Sequence, residues 1–227
     1  MQKFFITATG TGIGKTLVAT ALCHQLKLAG KKVAALKPVI SGYEAADMQN
    51  DSALILQSLA LSVTTENIEK ISPWRFAAPL SPNMAGAREN KNIPLEKLIS
   101  FCKEQEKIDA DILLVEGVGG ICVPLNNTST VLDWLAALDG WKIILVTGSY
   151  LGAISHTLTA VQALSASRLS PHSLVISESE GSPATLEETT ETLSQFLPKR
   201  LPIITIPRQN SAAEAWKAVP PISGICL

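Results

Sequence analysis

The residues best suited to chemistry form a glycine-rich stretch near the amino terminus, Thr9-Gly10-Thr11-Gly12-Ile13-Gly14-Lys15-Thr16. Glycines let backbone N–H groups turn towards a phosphate, and the amino end of a following helix adds positive charge. Lys15 can then bind the terminal phosphates of a nucleotide, and Thr16 can offer its hydroxyl to Mg²⁺. The stretch predicts a phosphate-binding loop, or P-loop, for a nucleoside triphosphate.

The spacing of this loop departs from the usual P-loop pattern, because Thr9 stands six residues before Lys15, where a glycine is standard. A dinucleotide site of the Gly-x-Gly-x-x-Gly type does not fit, since Lys15 occupies the place of the third glycine. The alternative without function is a glycine-rich turn between a strand and a helix that carries Lys-Thr by chance. The Gly-Lys-Thr sequence at the junction itself favours the phosphate loop.

Two further segments place charged residues at the ends of predicted strands. Lys37 begins the run Lys37-Pro38-Val39-Ile40-Ser41-Gly42, and Glu116 precedes glycines at 117, 119 and 120. Ligands collect beyond the carboxyl ends of parallel strands, so we expect both residues beside the P-loop. Lys37 would face the γ-phosphate and a second substrate, and Glu116 would hold Mg²⁺ directly or through water. For each residue, the alternative is a strand cap without a chemical role.

The elements that must position these residues follow from the periodicity of the apolar side chains. Short apolar runs predict strands at residues 4–9, 33–37, 112–115, 143–146, 174–176 and 203–206. Longer stretches predict helices at 14–28, 51–61, 94–107, 131–138, 153–166 and 184–196. This alternation indicates an α/β fold of the P-loop NTPase type, a mostly parallel sheet with helices on both faces. We expect a single domain over residues 1–227, with the proline-rich last dozen residues irregular.

Composition excludes several classes of protein. With 46% hydrophobic residues, 17% charged residues and a net charge of −1, the chain is neither disordered nor strongly basic. We therefore expect no nucleic-acid partner, and no membrane partner because no apolar run approaches the ~20 residues of a span. No secretory signal is evident. The four cysteines include no Cys-x-x-Cys pair, which favours buried thiols in a reducing compartment, so a cytoplasmic location is expected.

Four segments together resemble the dethiobiotin synthetase family. They are Gly14-Lys15-Thr16, Lys37-Pro38-Val39-x-Ser41-Gly42, Val115-Glu116-Gly117-x-Gly119-Gly120 with Pro124-Leu125, and Leu151-Gly152-x-Ile154-x-His156. Their order and spacing cover nearly the whole chain. Members of this family are homodimers that join CO2 to 7,8-diaminopelargonic acid with MgATP. The resemblance implies a ligase of biotin biosynthesis with these small-molecule substrates, ATP and Mg²⁺ as cofactors, and a second copy as partner.

The resemblance also implies roles for individual residues. Catalysis would rest on Lys37, Lys15 and Thr11, and the loop Pro79-Leu80-Ser81-Pro82 would lie near the diamine. The metal ligands would be Thr16, Asp51 and Glu116. The substrate contacts would be Ser41, Ser81, Leu151 and Ser155, the turn from 151 to 155 reaching a substrate carboxylate across the dimer interface. The other nucleotide contacts would be Gly12, Ile13, Gly14, Leu17, Gly117, Val118, Gly119, Ser177, Glu178, Pro207, Arg208 and Gln209.

Three departures from the family pattern bear on the nucleotide and the metal. In the P-loop, Ala8 replaces a glycine and Gly12 replaces an acidic residue. The metal-binding aspartate usually stands directly before an Ala-Leu pair, where this chain has Ser52, so we assign the role to Asp51 one residue earlier. The adenine-reading Asn-Asp pair is replaced by Ser177-Glu178, which predicts weaker selectivity for adenine.

Rival functions share the phosphate loop but need other features. Regulatory ATPases of the partition or division-site type carry a second lysine five residues before the main one, and Gly10 stands there. Amidating relatives need a glutaminase domain, for which the chain has no room. A nucleotide-binding switch without ligase activity remains the alternative.

Overall fold

A parallel sheet of six strands forms the centre of the structure, a computed structural model that describes residues 1–209 and 214–227. In spatial order the strands are β2 (Val33–Leu36), β5 (Ile112–Glu116), β1 (Gln2–Ala8), β6 (Lys142–Gly148), β7 (Pro171–Ser177) and β8 (Ile203–Ile206). Two short strands, β3 (Val39–Ser41) and β4 (Trp74–Phe76), form a separate parallel pair. The α/β prediction with a parallel sheet is confirmed.

Helices connect the strands and cover the sheet. They are α1 (Lys15–Leu28), α2 (Asp51–Ser58), α3 (Thr65–Ile71), α4 (Pro82–Arg88), α5 (Leu95–Gln105), α6 (Val131–Ala136), α7 (Ala153–Ala166) and α8 (Leu186–Phe196). Thr185 begins α8 with a capping box, in which its hydroxyl accepts from the Glu188 backbone and Glu188 accepts in return. Within the described part of the chain, no helix combines the length and apolarity needed to cross a bilayer.

Both faces of the sheet are buried because successive strand side chains point to opposite sides. Phe5 packs with α5 to α8 on one face, whereas Phe4 and Ile6 pack with α1 and α2 on the other. Phe5 meets Trp134 of α6 edge to face at 4.6 Å between ring centroids. The predicted helices on both faces are therefore present, and the rigid sheet fixes the positions of the loops at its edge.

Strand register brings the three candidate segments to one edge. Ile6 of β1 is paired with Glu116 of β5, and Leu36 of β2 is paired with Val115. The P-loop follows β1, Lys37 follows β2, and Glu116 ends β5, so all three emerge side by side. The carboxyl ends of these strands form the floor of the candidate site.

Two segments add to what the periodicity predicts. Within the run from 37 to 42, Val39–Ser41 forms β3 and pairs with β4. The last dozen residues have little regular structure, as expected, but they include a short 3₁₀ helix, Ser223–Ile225, and Ile222 and Cys226 pack in the core beside α1. The Gln25 side chain contributes by bonding backbone groups of the segment from 219 to 223. Burial of apolar side chains and these hydrogen bonds hold the C-terminal segment against α1 without a regular helix or strand.

Candidate active site

The P-loop takes a backbone conformation at Gly14 that a larger residue would strain. Gly14 precedes α1 with φ +98°, a left-handed conformation that favours glycine. Lys15 is the first residue of α1, and its ammonium Nζ donates to the Gly10 carbonyl at 3.1 Å. The lysine therefore folds back over its own loop, where the phosphates of a nucleotide would lie.

A buried ion-pair network lies beside the loop. The Lys37 Nζ donates to Glu116 Oε1 at 2.7 Å, and it lies 3.1 Å from Asp51 Oδ2. It also donates to the Gly117 carbonyl at 2.8 Å. Lys37 is 2% exposed and Glu116 1% exposed. Neither side chain reaches solvent, so Lys37 is not a solvated strand cap.

Thr16 joins the two carboxylates of this network. Its hydroxyl lies 2.8 Å from Asp51 Oδ1 and 2.9 Å from Glu116 Oε1. A hydroxyl has one proton, so it can donate to only one of these oxygens at a time. The other oxygen of Glu116, Oε2, is buried without any hydrogen-bond partner. The carboxylates are thus only partly satisfied by the protein itself.

Burial and mutual charge displace the pKa values of this cluster. Burial, strengthened by the like charge of Lys37, lowers the pKa of Lys15 to about 8. Burial also acts to lower the pKa of Lys37, but Asp51 and Glu116 outweigh it and raise that pKa. Burial raises the pKa of Glu116. Burial also acts to raise the pKa of Asp51, but Lys37, Thr16 and Lys15 together outweigh it and lower that pKa. Such a concentration of shifted groups in one cavity is typical of a functional site.

The oxygen atoms of Asp51, Glu116 and Thr16 are suitable ligands for a hard divalent cation. Two carboxylates and a hydroxyl are oxygen ligands, which Mg²⁺ prefers, and the unpartnered Glu116 Oε2 is a free coordination atom. Among the described residues, no cluster combines three or more His, Cys, Asp or Glu side chains as metal ligands. The remaining positions would therefore fall to water and phosphate, as is usual for Mg²⁺.

A cavity of about 590 Å³ opens above this network. Ser41 and the loop from Pro79 to Pro82, which includes Ser81, line it. Thr11, Gly12, Val118 and Gly119 also line it, whereas Gly117 contributes its carbonyl to Lys37. The cavity has the size of a small-molecule site.

A second cavity of about 650 Å³ lies on the other side of the P-loop. Its walls include Gly12, Ile13, Gly14, Leu17, Ser177, Glu178, Arg208 and Gln209. Glu178 is not free there, because its Oε2 accepts from the Arg208 backbone N–H at 2.8 Å. Pro207 is not among the lining residues, but its carbonyl accepts from the Gln209 side chain at 2.6 Å. The expected base contacts thus gather in one place.

The turn from 151 to 155 lies apart from both cavities. Leu151 is 88% exposed, and Ser155 is exposed on α7. Neither lines a cavity with the P-loop. Within one chain, the structure does not bring these expected substrate contacts to the site.

The structure distinguishes between Asp51 and Ser52. Asp51 contacts Thr16 and Lys37, whereas Ser52 is fully buried and shares a 2.6 Å hydrogen bond with Ser72.

Sequence reasoning missed Ile40 and Val123 as lining residues of the first cavity, and Ser179 and Glu180 in the second. Ser179 and Glu180 could have been found, because they belong to a polar run directly after a strand. Ile40 and Val123 gave no such signal, because an apolar side chain is expected in the core.

Comparison of sequences identifies close relatives. A family model described as an AAA domain matches residues 2–213. The chain is 45% identical over 199 residues to the ATP-dependent dethiobiotin synthetase BioD of Acidiphilium cryptum, which covers 87% of this chain and 89% of that protein. It is 41% identical over 201 residues to the protein of the same name in Methylobacterium nodulans, covering 86% and 89%.

Comparison of structures identifies the fold. The MinC:MinD cell division protein complex of Aquifex aeolicus superposes with a TM-score of 0.58 at 14% identity, covering 96% of this chain and 86% of that one. A ParA family ATPase from Chlorobium tepidum superposes with a TM-score of 0.55 at 16% identity, covering 96% and 91%. At these identities the likeness shows a shared P-loop NTPase fold and nothing about function.

Proposed function

The chain belongs to the dethiobiotin synthetase family, and from that premise we propose that it closes the ring of dethiobiotin by ATP-dependent carboxylation of 7,8-diaminopelargonic acid with CO2. The observation that carries the proposal is the meeting of Lys15, Lys37 and the Asp51–Glu116 pair in one cavity beside a nucleotide-sized cavity. The names of the relatives support ATP as the phosphoryl donor.

The proposed chemistry has three steps. One amine of the substrate attacks CO2 and loses a proton, which gives a carbamate. A carbamate oxygen attacks the γ-phosphorus and breaks its bond to ADP, which gives a carbamic–phosphoric anhydride. The second amine attacks the carbamoyl carbon, loses a proton and expels phosphate, which closes the cyclic urea. Negative charge gathers between the carbamate and the phosphate, so the main task of the site is electrostatic stabilisation.

Each cation of the cavity has a place in this scheme. Lys15, folded over the P-loop with Thr11 nearby, would bind the β- and γ-phosphates. Lys37 would neutralise the carbamate and the γ-phosphate as they meet. Ser41 and Ser81, which line the same cavity, would position the diamine. The scheme needs no nucleophilic Ser or Cys.

Mg²⁺ is proposed as the metal cofactor, held by Thr16, Asp51 and Glu116. When bound, the ion supplies charge neutralisation to the transferring phosphoryl group. The unpartnered Glu116 Oε2 supports this assignment, since a buried carboxylate oxygen costs free energy unless a partner satisfies it.

A homodimer is proposed because one chain supplies an incomplete substrate site. Among the described residues that line the first cavity, Lys15 and Lys37 are the only cations, and the phosphates require both. The distal carboxylate of the substrate is therefore left without a partner in one protomer. The exposed turn at Leu151 and Ser155 would supply it from a second copy. Light scattering on wild-type protein tests the dimer, and a strict monomer would contradict it.

Residues 1–227 are proposed to act as one P-loop domain in the cytoplasm. Two continuous cores, one on each face of the sheet, support the single domain. All four cysteines are free thiols and three of them are buried, which supports a reducing compartment. A cytoplasmic location would also supply the ATP.

Oxygen labelling tests the proposed reaction. Fresh ¹⁸O-labelled CO2, given with the diamine and MgATP in a single turnover, should transfer an ¹⁸O atom to the released phosphate. The label moves because the carbamate oxygen that attacks phosphorus leaves with the phosphoryl group. Unlabelled phosphate would mean that water attacks ATP instead, as in a nucleotide-hydrolysing switch without ligase activity.

A further inference from the structure

The Lys37 ammonium is held by three oxygens of the protein, two through hydrogen bonds and one through an ion pair. An ammonium carries three N–H donors. Three oxygens surround Lys37 Nζ: Glu116 Oε1 at 2.7 Å, the Gly117 carbonyl at 2.8 Å and Asp51 Oδ2 at 3.1 Å. The side chain is buried, so water does not compete for these bonds. The carboxylates of Asp51 and Glu116 therefore hold Lys37 in place before it meets a carbamate or a γ-phosphate.

We propose that Lys37 is the resident counter-ion of the metal-binding carboxylates, and that a divalent cation and the Lys37 ammonium bind these carboxylates in exchange. The inference rests on the proposed metal ligands Asp51 and Glu116. It assigns Lys37 a second role, which precedes its action on the substrate.

The charges of the two carboxylates explain why a counter-ion is needed. Asp51 and Glu116 share the Thr16 hydroxyl as a common neighbour and lie in a mostly buried cluster. Two carboxylates so close together are unstable without a cation, because burial removes the water that would otherwise screen them. Lys37 lies between the two, 2.7 Å from Glu116 Oε1 and 3.1 Å from Asp51 Oδ2. It therefore neutralises the two carboxylates and holds them close together.

The exchange follows from competition for the same atoms. The two oxygens that bind Lys37 belong to residues that also serve as metal ligands, and Glu116 Oε2 is the one carboxylate oxygen of that residue still without a partner. A dication that binds these carboxylates removes most of their attraction for the ammonium and repels it directly. Lys37 is then free to turn towards the cavity. Binding of the metal with the nucleotide thus prepares Lys37 for the substrate.

The test measures metal binding without nucleotide and without turnover. Lys37→Met keeps the length and apolar stem of the side chain but removes the charge. We expect this variant to bind Mg²⁺ at least about tenfold more tightly than wild type by calorimetry, since no internal cation competes. We also expect its Tm to be lowered in EDTA and restored by Mg²⁺, whereas the Tm of wild type should hardly respond to the ion.

Two controls separate charge from packing. Lys97→Met changes an exposed lysine of α5 and should leave both readouts as in wild type. Lys37→Met combined with Glu116→Gln removes one carboxylate charge as well as the ammonium, so the remaining site has the net charge of wild type. This double variant should regain stability in EDTA and lose the tighter Mg²⁺ binding. It also keeps the test decisive if Lys37→Met alone does not fold without the ion.

The outcomes distinguish this proposal from the proposed function. If Lys37→Met binds Mg²⁺ no more tightly than wild type, or if the double variant is as unstable as the single one, Lys37 is not the counter-ion. That result would leave dethiobiotin formation by wild type untouched. If wild type formed no dethiobiotin, the proposed function would fail while the metal measurements kept their meaning.

Discussion

Ser177 lies so close to Gly14 that a Cβ added to the glycine would stand 2.6 Å from the serine Oγ. Gly14 precedes the first turn of α1, and Ser177 ends β7. This contact means that the phosphate loop and the base cavity share a wall. A change at either residue is therefore expected to affect nucleotide binding more than the stability of the fold.

The first prediction concerns Gly14→Ala. The new methyl group would meet Ser177, and the left-handed φ of +98° would be strained as well. We expect the affinity for ATP to fall by roughly tenfold or more, since strain of about 1–2 kcal/mol would add to the steric conflict. Gly30→Ala is the matched control, because Gly30 has φ +75° but open space around it. Its variant should lose some stability and bind ATP normally, and equal losses of affinity in both would contradict the role of the contact.

The second prediction concerns the base. Ser177 offers one short hydroxyl where an asparagine would offer a donor and an acceptor, and Glu178 already accepts from the Arg208 backbone. We expect kcat/KM for GTP or CTP within about tenfold of that for ATP, because one lost contact leaves little discrimination. Side-by-side kinetics decide the matter. A preference for ATP of roughly a thousandfold would indicate that the base is read elsewhere, with the backbone of residues 207–209 as the reader.

The third prediction concerns Glu116→Gln. The substitution keeps the shape and removes a buried charge, so the variant should fold while its requirement for Mg²⁺ rises sharply. The measurement is a magnesium titration of activity at fixed ATP, with circular dichroism as the check on the fold. A titration curve that coincides with that of wild type would remove Glu116 from the metal site.

The fourth prediction is a dependence on pH through Lys15. Its pKa is lowered to about 8, first by burial and then by the like charge of Lys37. Phosphates bind the charged ammonium, so affinity for ATP should fall as pH rises above about 8. The free energy of unfolding should instead rise with pH from about pH 8 to about pH 10.4. Over this range the unfolded chain still holds a proton that the native Lys15 has lost, so raising the pH favours the native state.

Titration of ATP affinity against pH checks this prediction, with Lys15→Ala as the comparison. The variant binds weakly but should lack the decline above about pH 8. If wild type and the variant show parallel pH profiles, the titrating group is not Lys15.

Much of the fold was predictable because local patterns and tertiary packing agree. The helix Ala153–Ala166 and the strand Ile203–Ile206 have the predicted bounds. By contrast, β3 and β4 are three-residue strands that depend on each other, and no local periodicity can reveal so short a pair. The docking of the segment around Ile222 depends on Gln25, almost two hundred residues away in the chain. Such a contact leaves no local signal.

The sequence predicted the charged residues of the candidate site but not the contacts between them. Lys37 and Glu116 stand at strand ends and Lys15 lies directly after the loop that follows β1, and the parallel topology predicts that the three meet. The sequence did not reveal that Lys37 would be buried between two carboxylates, because this depends on the path of the chain from β3 to Asp51. The sequence also did not decide whether Asp51 or Ser52 occupies the metal-ligand position. The orientation of α2 decides it, because Asp51 contacts Thr16 whereas Ser52 contacts Ser72.

The most direct test of the account is a product assay with wild type and Lys37→Ala. Purified protein is mixed with 7,8-diaminopelargonic acid, bicarbonate and MgATP, and both dethiobiotin and ADP are measured. We expect wild type to form them in equal amounts, and ADP to stay low when the diamine is omitted. Lys37→Ala should still bind ATP but turn over on the order of a hundredfold more slowly, since one strong electrostatic donor contributes about 3 kcal/mol. Release of ADP without dethiobiotin, at a rate indifferent to the diamine, would contradict the account.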